Sequence, residues 1–214
     1  MRPGRRLTPE DMLSESYQTG LLDVRVPLIH QPPPPPQPKL LNVTIQLQEQ
    51  SNWCWAAVGS GIGGFYDHTS YSQCWIVTAV FKRLDKERGT HIMDNVDCCD
   101  PNVNPSVQPC NGESGADQAL NTPNQHFGHN TGPLTFSDVI GQIDLGQPFA
   151  AEISWARGGS HFVAITGYGY FGDPAVECIY AQDPVYGSSW NWIAKFSSQY
   201  QGSGTWTSTT LSKP

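Results

Sequence analysis

The stretch QEQSNWCWAAVGSGIGGFY, residues 48–66, decides the fold of this chain. Apolar and small residues recur along it at helical spacing, namely Cys54, Val58, Gly61, Ile62 and Phe65. This periodicity predicts a helix with Cys54 in its first turn. Glycines inside a helix each cost about 1 kcal/mol relative to alanine, and four fall here, at positions 59, 61, 63 and 64. We therefore expect tight burial of this helix, with other backbone packed against the glycines.

Cys54 is a candidate nucleophile because of its place in this helix. The positive end of the helix dipole lies at the N-terminus and stabilises a thiolate there. The alternative is a small buried core residue between Trp53 and Trp55, which is the more common role for a helical cysteine. Features elsewhere in the chain favour the nucleophile.

Three residues supply what a cysteine nucleophile requires. Gln48, six residues before Cys54, follows a predicted strand and can fold its amide beside the helix N-terminus. There it would form an oxyanion hole with the main-chain N–H of Cys54, with Gln50 as the competitor for this role. His161 starts an apolar strand in RGGSHFVAITGYG, and Asp183 ends the next strand in YAQDP. Neighbouring antiparallel strands would bring this aspartate against the far nitrogen of the histidine.

The rest of the chain divides into a proline-rich arm and one catalytic domain. Residues 1–40 are polar and end in QPPPPPQP, which favours extended polyproline II geometry. We interpret them as an arm or pro-segment outside the fold, and residues 41–214 as the domain. Within the domain, the pattern predicts a strand at 42–47, a helix from Ser72 to Gly89 and a helix from Ser137 to about Leu145.

The second half of the domain changes to a period of two residues, which is typical of strands. The predicted strands are 149–155, 161–170, 178–182, 190–196 and 205–211. Helices first and antiparallel strands later predict an α+β fold, in which a helical half packs on a sheet half with the active-site cleft between them.

Composition excludes several partners. The formal net charge is −7, and the 12 Lys and Arg are scattered, so neither nucleic acid nor an anionic membrane is an expected partner. Apolar runs are short, and no signal peptide or membrane span is visible.

Taken together, these motifs resemble the papain-like cysteine proteases, and in particular the bacterial branch that includes the avirulence-type protease effectors of plant pathogens. QEQSNWCWAA carries the resemblance, supported by SQC at 72–74, DCC at 97–99, PCN at 109–111, GGSHFVAITGY at 158–168 and QGSGTWT at 201–207. The likeness extends from about Val43 to the C-terminus. His161 follows Cys54 by 107 residues, fewer than in plant papains, and the third residue is Asp rather than Asn. Both departures fit the compact bacterial branch.

The resemblance implies a catalytic triad in which Cys54 attacks a peptide carbonyl, His161 acts as base and then acid, and Asp183 orients His161. Gln48 would stabilise the oxyanion. It further implies a monomer that acts on a protein or peptide without metal or cofactor. It also implies non-classical bacterial export from the cytoplasm, with secretion machinery or an immunity protein as a partner.

Substrate contacts are predicted beside these residues. PCNGE is similar to the papain stretch whose glycine backbone pairs with an extended substrate, which makes Asn111 and Gly112 candidates. Trp55 and Ser160, the neighbours of Cys54 and His161, are further candidates.

The other cysteines predict disulfides. With Cys54 as a thiol and Cys178 as a buried strand residue, four cysteines remain for two bridges, Cys74, Cys98, Cys99 and Cys110. A vicinal bridge is strained, so Cys74 is expected to pair with Cys98 or Cys99, and Cys110 with the other. A zinc site that adds His126 or His129 is less favoured because paired C-x-x-C spacing is missing.

Two alternative functions remain open from the sequence. The same triad also serves acyltransferases and transglutaminases, which transfer the acyl group to an amine. A disulfide-stapled binding module without turnover is the second, although retention of Gln48, Cys54, His161 and Asp183 argues against it.

Overall fold

The computed structural model describes residues 37–214. Its helices are α1 (Cys54–Asp67), α2 (Gln73–Arg88), α3 (Ala116–Asn121), α4 (Phe136–Asp144) and α5 (Ile193–Gln199). Its strands are β1 (Lys39–Leu40), β2 (His126–Thr131), β3 (Phe149–Trp155), β4 (Ser160–Phe171), β5 (Val176–Asp183), β6 (Gly187–Trp192) and β7 (Gly204–Ser212). Within this range no helix is long and apolar enough to cross a membrane.

The strands form one antiparallel sheet of seven strands in the order β2-β7-β3-β4-β5-β6, with β1 paired to β4. Strand β4 lies in the middle and is buried along most of its length. Alternate residues of β4 face opposite sides, since side chains in a strand point alternately to either face. Phe162 and Ala164 pack in a cluster with α1, α2 and α3, whereas Val163 and Ile165 pack in a second cluster with α4. This burial on both faces explains the continuous apolar run after His161.

The helices α1 to α3 precede most of the sheet and cover one of its faces, so the fold is the α+β, papain-like fold that the order of elements predicted. Tight packing around α1 is confirmed. A Cβ on Gly59 would overlap Ala119 of α3, and a Cβ on Gly61 would lie 2.7 Å from the carbonyl oxygen of Thr44. Small residues are therefore required where α3 and the chain before α1 cross this helix.

Several element boundaries are confirmed. Ser72 caps α2 by accepting the N–H of Trp75, and α2 ends at Gly89 in the left-handed conformation. Helix α4 begins one residue before the predicted start, because Thr135 and Asp138 form a capping box.

Other predictions were wrong. The residues 42–47 form no strand, because their main chain pairs with a side chain instead of a neighbouring strand. Gln182 donates to the carbonyl of Val43 at 2.7 Å and accepts from the N–H of Ile45 at 3.0 Å. The strand predicted at 190–196 is β6, which runs from Gly187 to Trp192, and α5 begins at the next residue, Ile193. Helix α3 and strand β2 were not predicted, and β2 contains His126 and His129.

The predicted arm lies outside the described residues except for its last four. Lys39 and Leu40 pair with Tyr168 and Gly167 of β4. The sheet therefore includes two residues before the predicted domain boundary at 41.

Candidate active site

Three elements bring the predicted triad residues together. Cys54 is the first residue of α1, His161 is the second residue of β4, and Asp183 is the last residue of β5. Strands β4 and β5 are paired neighbours. As a result, His161 Nε2 lies 2.9 Å from Asp183 Oδ1, and both side chains are buried. The predicted contact between this histidine and this aspartate is confirmed.

The Asp183 carboxylate accepts three hydrogen bonds besides that of His161. Tyr200 donates its hydroxyl to Oδ2 at 2.7 Å, and the main-chain N–H groups of Val185 and Tyr186 donate to Oδ1 at 2.6 and 2.9 Å. Burial works to raise the pKa of Asp183, but these bonds and the nearby imidazole outweigh it and lower the pKa. Asp183 is therefore a carboxylate with a fixed orientation.

The imidazole of His161 is held in its charged form. Burial lowers the pKa of His161, yet its hydrogen bond to the Asp183 carboxylate, an interaction with the Cys54 side chain and the charges of both raise the pKa to about 9. Because Nε2 is bonded to Asp183, Nδ1 is the ring nitrogen left to face Cys54. The arrangement can thus maintain an imidazolium beside the cysteine at neutral pH.

Aromatic rings enclose this histidine. Trp155 stacks on the imidazole with centroids 6.0 Å apart, and Tyr186 approaches it edge-on at 6.3 Å. The tight β3–β4 hairpin delivers both Trp155 and His161 to the site, and its turn requires Gly158 and Gly159 at positive φ. Sequence reasoning missed Trp155. In the WARGGSH hairpin His161 pairs with Ile153, so Trp155, two residues further along β3, lies diagonally opposite His161 on the same face of the sheet.

Cys54 lies at an uncapped helix N-terminus. The N-cap residue, Trp53, makes no side-chain hydrogen bond to α1. The first N–H groups of a helix have no partner within it, so they remain to face negative charge at this end. Two cysteines of the described residues are free, Cys54 and Cys178. Burial raises the pKa of Cys178, which disfavours the reactive thiolate at that position.

Gln48 reaches the site, with its amide fixed by main-chain carbonyls. Its Nε2 donates to the carbonyl oxygens of Gln50 and Ser51, each at 2.8 Å, and its Oε1 is buried without a hydrogen-bond partner. Both amide hydrogens are therefore engaged within the protein. The side chain of Gln50, the competitor, instead accepts from Ser106 at 2.9 Å.

A cavity lies beside Cys54 and His161. Thirteen residues line it: Gln48, Ser51, Asn52, Cys54, Trp55, Glu113, Ser114, Trp155, Ser160, His161, Phe162, Val185 and Tyr186. Two of the predicted substrate contacts, Trp55 and Ser160, are among them. The other two, Asn111 and Gly112, lie outside this lining, and the residues that follow them, Glu113 and Ser114, line the cavity instead.

The cysteine pairing is resolved by the structure. Cys74 pairs with Cys99, and Cys98 pairs with Cys110. This is one of the two pairings that the sequence left open. Since all four sulfurs are used in these bonds, they do not serve as zinc thiolates beside His126 or His129.

An α+β fold with a free cysteine at a helix N-terminus, beside a buried histidine–aspartate pair, has the form of a cysteine-peptidase-like protein. Residues 40–210 match the family model described as the Peptidase_C39 like family. This match spans well over half of the chain, so the chain belongs to that family. A comparison with individually curated proteins found no match.

Proposed function

We propose that this protein is a cysteine endopeptidase with Cys54 as nucleophile, His161 as general acid and base, and Asp183 as the residue that orients and charges His161. The arrangement of the histidine carries the proposal. A buried imidazole lies between a carboxylate and a cysteine, and its pKa of about 9 leaves it positively charged at neutral pH. A nucleophilic cysteine requires such a partner to handle its proton.

The reaction follows from that pair. The Cys54 thiolate attacks the peptide carbonyl, and the His161 imidazolium gives its proton to the departing amine, which leaves a thioester on Cys54. The neutral imidazole then takes a proton from water, and the resulting hydroxide equivalent attacks the thioester. The carboxylic acid product leaves, and the thiolate and imidazolium are restored. No metal or organic cofactor is needed in these steps.

The oxyanion would be stabilised by the main-chain N–H of Cys54 and the amide of Gln48. For Gln48 to contribute, one Nε2 hydrogen must leave its carbonyl acceptor, Gln50 or Ser51, when substrate binds. Losing one oxyanion donor costs about 100- to 1,000-fold in kcat in known hydrolases, so Gln48→Ala should fall in that range.

We also propose that substrates are proteins or peptides bound along Trp55 and Ser160, and that the protein is an exported effector of the avirulence-type branch. The two disulfides support export, since such bonds persist mainly in oxidising compartments.

Alkylation tests the nucleophile without knowledge of the substrate. Iodoacetamide is applied to folded protein at neutral pH, and the modified cysteines are identified by mass spectrometry. We expect rapid modification of Cys54, strong slowing in His161→Ala, and no modification of Cys178, which serves as the internal control. Equal rates at Cys54 in both proteins would contradict an activated thiolate.

Product analysis then tests the reaction. Protein is incubated with a peptide library in the presence of a primary amine, and products are identified by mass. Peptides with free carboxyl termini, absent with Cys54→Ala, are the expected result. Predominant amide products would instead identify an acyltransferase.

A further inference from the structure

We propose that Asn111 is a positioning residue for the turn formed by residues 50–52, here called the oxyanion turn, and that the Cys98–Cys110 disulfide holds Asn111 in place. This inference rests on the proposed function, because it assigns a role to groups that support the same reaction. Asn111 lies outside the cavity lining, so its effect on catalysis must pass through the turn.

Asn111 binds the oxyanion turn with both its side chain and its main chain. Its Oδ1 accepts the main-chain N–H of Asn52 at 3.2 Å, and its Nδ2 donates to Ser51 Oγ at 2.9 Å. Its carbonyl accepts from Asn52 Nδ2 at 3.0 Å. Three hydrogen bonds therefore join Asn111 to Ser51 and Asn52, which are 60 and 59 positions distant in the chain.

The position of the oxyanion turn determines where the two proposed oxyanion donors lie, namely the Gln48 amide and the main-chain N–H of Cys54. The carbonyls of Gln50 and Ser51 hold the Gln48 amide. The main-chain N–H of Trp53 donates to the Gln50 carbonyl at 3.1 Å. Trp53 directly precedes Cys54, so this bond links the turn to the start of α1. A shift of this turn would therefore move the Gln48 amide and the helix N-terminus relative to each other.

The segment that contains Asn111 is fixed from the other side. Cys110 is buried and bonded to Cys98, whose main-chain N–H donates to Thr78 of α2 at 2.9 Å. The indole of Trp53 also donates to the carbonyl of Cys110 at 2.9 Å. The residues between Cys98 and Cys110 form no helix or strand. The disulfide thus adds a second covalent link, besides the main chain that continues into α3, between the segment of Asn111 and the helical half.

This geometry predicts a specific kinetic signature. A displaced oxyanion donor weakens binding of the transition state, so kcat falls while KM changes little. Alkylation by iodoacetamide forms no oxyanion, so the reactivity of Cys54 toward it should be retained. A general loss of structure would instead lower both turnover and alkylation.

The experiment compares kcat, KM and the Cys54 alkylation rate in Asn111→Ala and in Asn102→Ala. Asn102 is the matched control, since it lies in the same disulfide-bounded loop and, among residues 37–214, its side chain bonds only to Asp100. We expect Asn111→Ala to lower kcat by about 10- to 100-fold, the scale of a small misplacement of reacting groups. KM and the alkylation rate should stay near those of the wild type, and Asn102→Ala should match the wild type throughout.

A second pair of variants tests the anchor. The double substitution Cys98→Ala with Cys110→Ala should lower kcat as Asn111→Ala does, whereas Cys74→Ala with Cys99→Ala, which removes the other disulfide, should retain it. If the first double variant does not fold, Asn111→Ala still decides, because its disulfides are intact.

The outcomes separate this inference from the proposed function. If iodoacetamide modifies Cys54 at the same rate in the wild type and in His161→Ala, the proposed function itself is refuted. Wild-type alkylation that depends on His161, together with normal kcat in Asn111→Ala, would overturn the positioning role alone. A parallel loss of alkylation and turnover in Asn111→Ala would also overturn it, in favour of a structural role.

Discussion

Replacement of Asp183 by asparagine tests how the site stabilises the protonated form of His161. The substitution keeps the size of the side chain but removes the negative charge next to His161 Nε2, 2.9 Å away. Burial, which lowers the pKa of His161, would then be opposed only by Cys54. We expect the pKa of His161 in Asp183→Asn to fall from about 9 to its ordinary value of 6.5 or below.

The size of the effect follows from these two values. The difference between 6.5 and about 9 corresponds to about 3 kcal/mol of preference for the imidazolium. At about pH 8, a group with a pKa of about 9 is about 90% protonated, whereas one with a pKa of 6.5 is about 3% protonated. The variant should therefore lose about 30-fold in kcat/KM at about pH 8, and less than about twofold at about pH 6, if protonation of His161 is the limiting factor.

The assay is a pH profile of kcat/KM with a fluorogenic peptide found by substrate profiling. The wild type should lose activity as pH rises through about 9, because the general acid is deprotonated there. In Asp183→Asn this alkaline limb should move to lower pH. Asp144→Asn is the matched control, since Asp144 bonds to Lys39 and Tyr168 outside the cavity.

A loss in Asp183→Asn that is equal at about pH 6 and about pH 8 would refute this reasoning. It would show that Asp183 orients the imidazole without controlling its charge. An unchanged profile would show that the His161–Asp183 contact does not contribute to the reaction.

Three further predictions concern stability, measured as the free energy of unfolding in urea. Because folding raises the pKa of His161, this residue contributes to the free energy of unfolding in full below pH 6.5, and the contribution is lost as pH rises toward about 9. The free energy of unfolding of the wild type should therefore decrease over that interval. Tyr200→Phe should cost about 1–3 kcal/mol, since it removes a buried hydrogen bond to the Asp183 carboxylate. Gly59→Ala should cost about 1–3 kcal/mol through overlap with α3, whereas Gly141→Ala, whose Cβ meets nothing within 4 Å, should stabilise by up to about 1 kcal/mol.

Each of these has an outcome that contradicts it. If the free energy of unfolding of His161→Ala declines with pH as steeply as that of the wild type, groups other than His161 cause the decline. A Tyr200→Phe protein as stable as the wild type would show that the Asp183 carboxylate is satisfied without this hydroxyl. Equal effects of alanine at Gly59 and Gly141 would mean that helix propensity alone, and not contact with α3, governs these positions.

Much of the fold could be read from local patterns. The helix that starts at Cys54, the helix from Ser72 to Gly89 and most strands of the second half follow from periodicity, caps and turns, which act within a few residues. One failure occurred where a distant group replaced a local preference. The segment 42–47 has a strand-like pattern, yet the side chain of Gln182 takes the place of a neighbouring strand.

The site divides in the same way. The residue types and order of Cys54, His161 and Asp183 were visible in the sequence, because a helix start, a strand start and a strand end are local features. The stacking of Trp155 on His161 and the hydroxyl of Tyr200 on Asp183 were not visible, since they depend on how a hairpin and α5 pack.

The sequence by itself determined the order of the elements, the helix that presents Cys54 and the candidate triad, because propensity and periodicity are properties of neighbouring residues. Only the tertiary structure decided which of two disulfide pairings forms, which atoms hold the Gln48 amide, and that Asn111 bonds to Asn52 from 59 positions away. Such contacts join residues far apart in the chain, and many pairings satisfy the same local pattern. Packing of the complete core selects one of them.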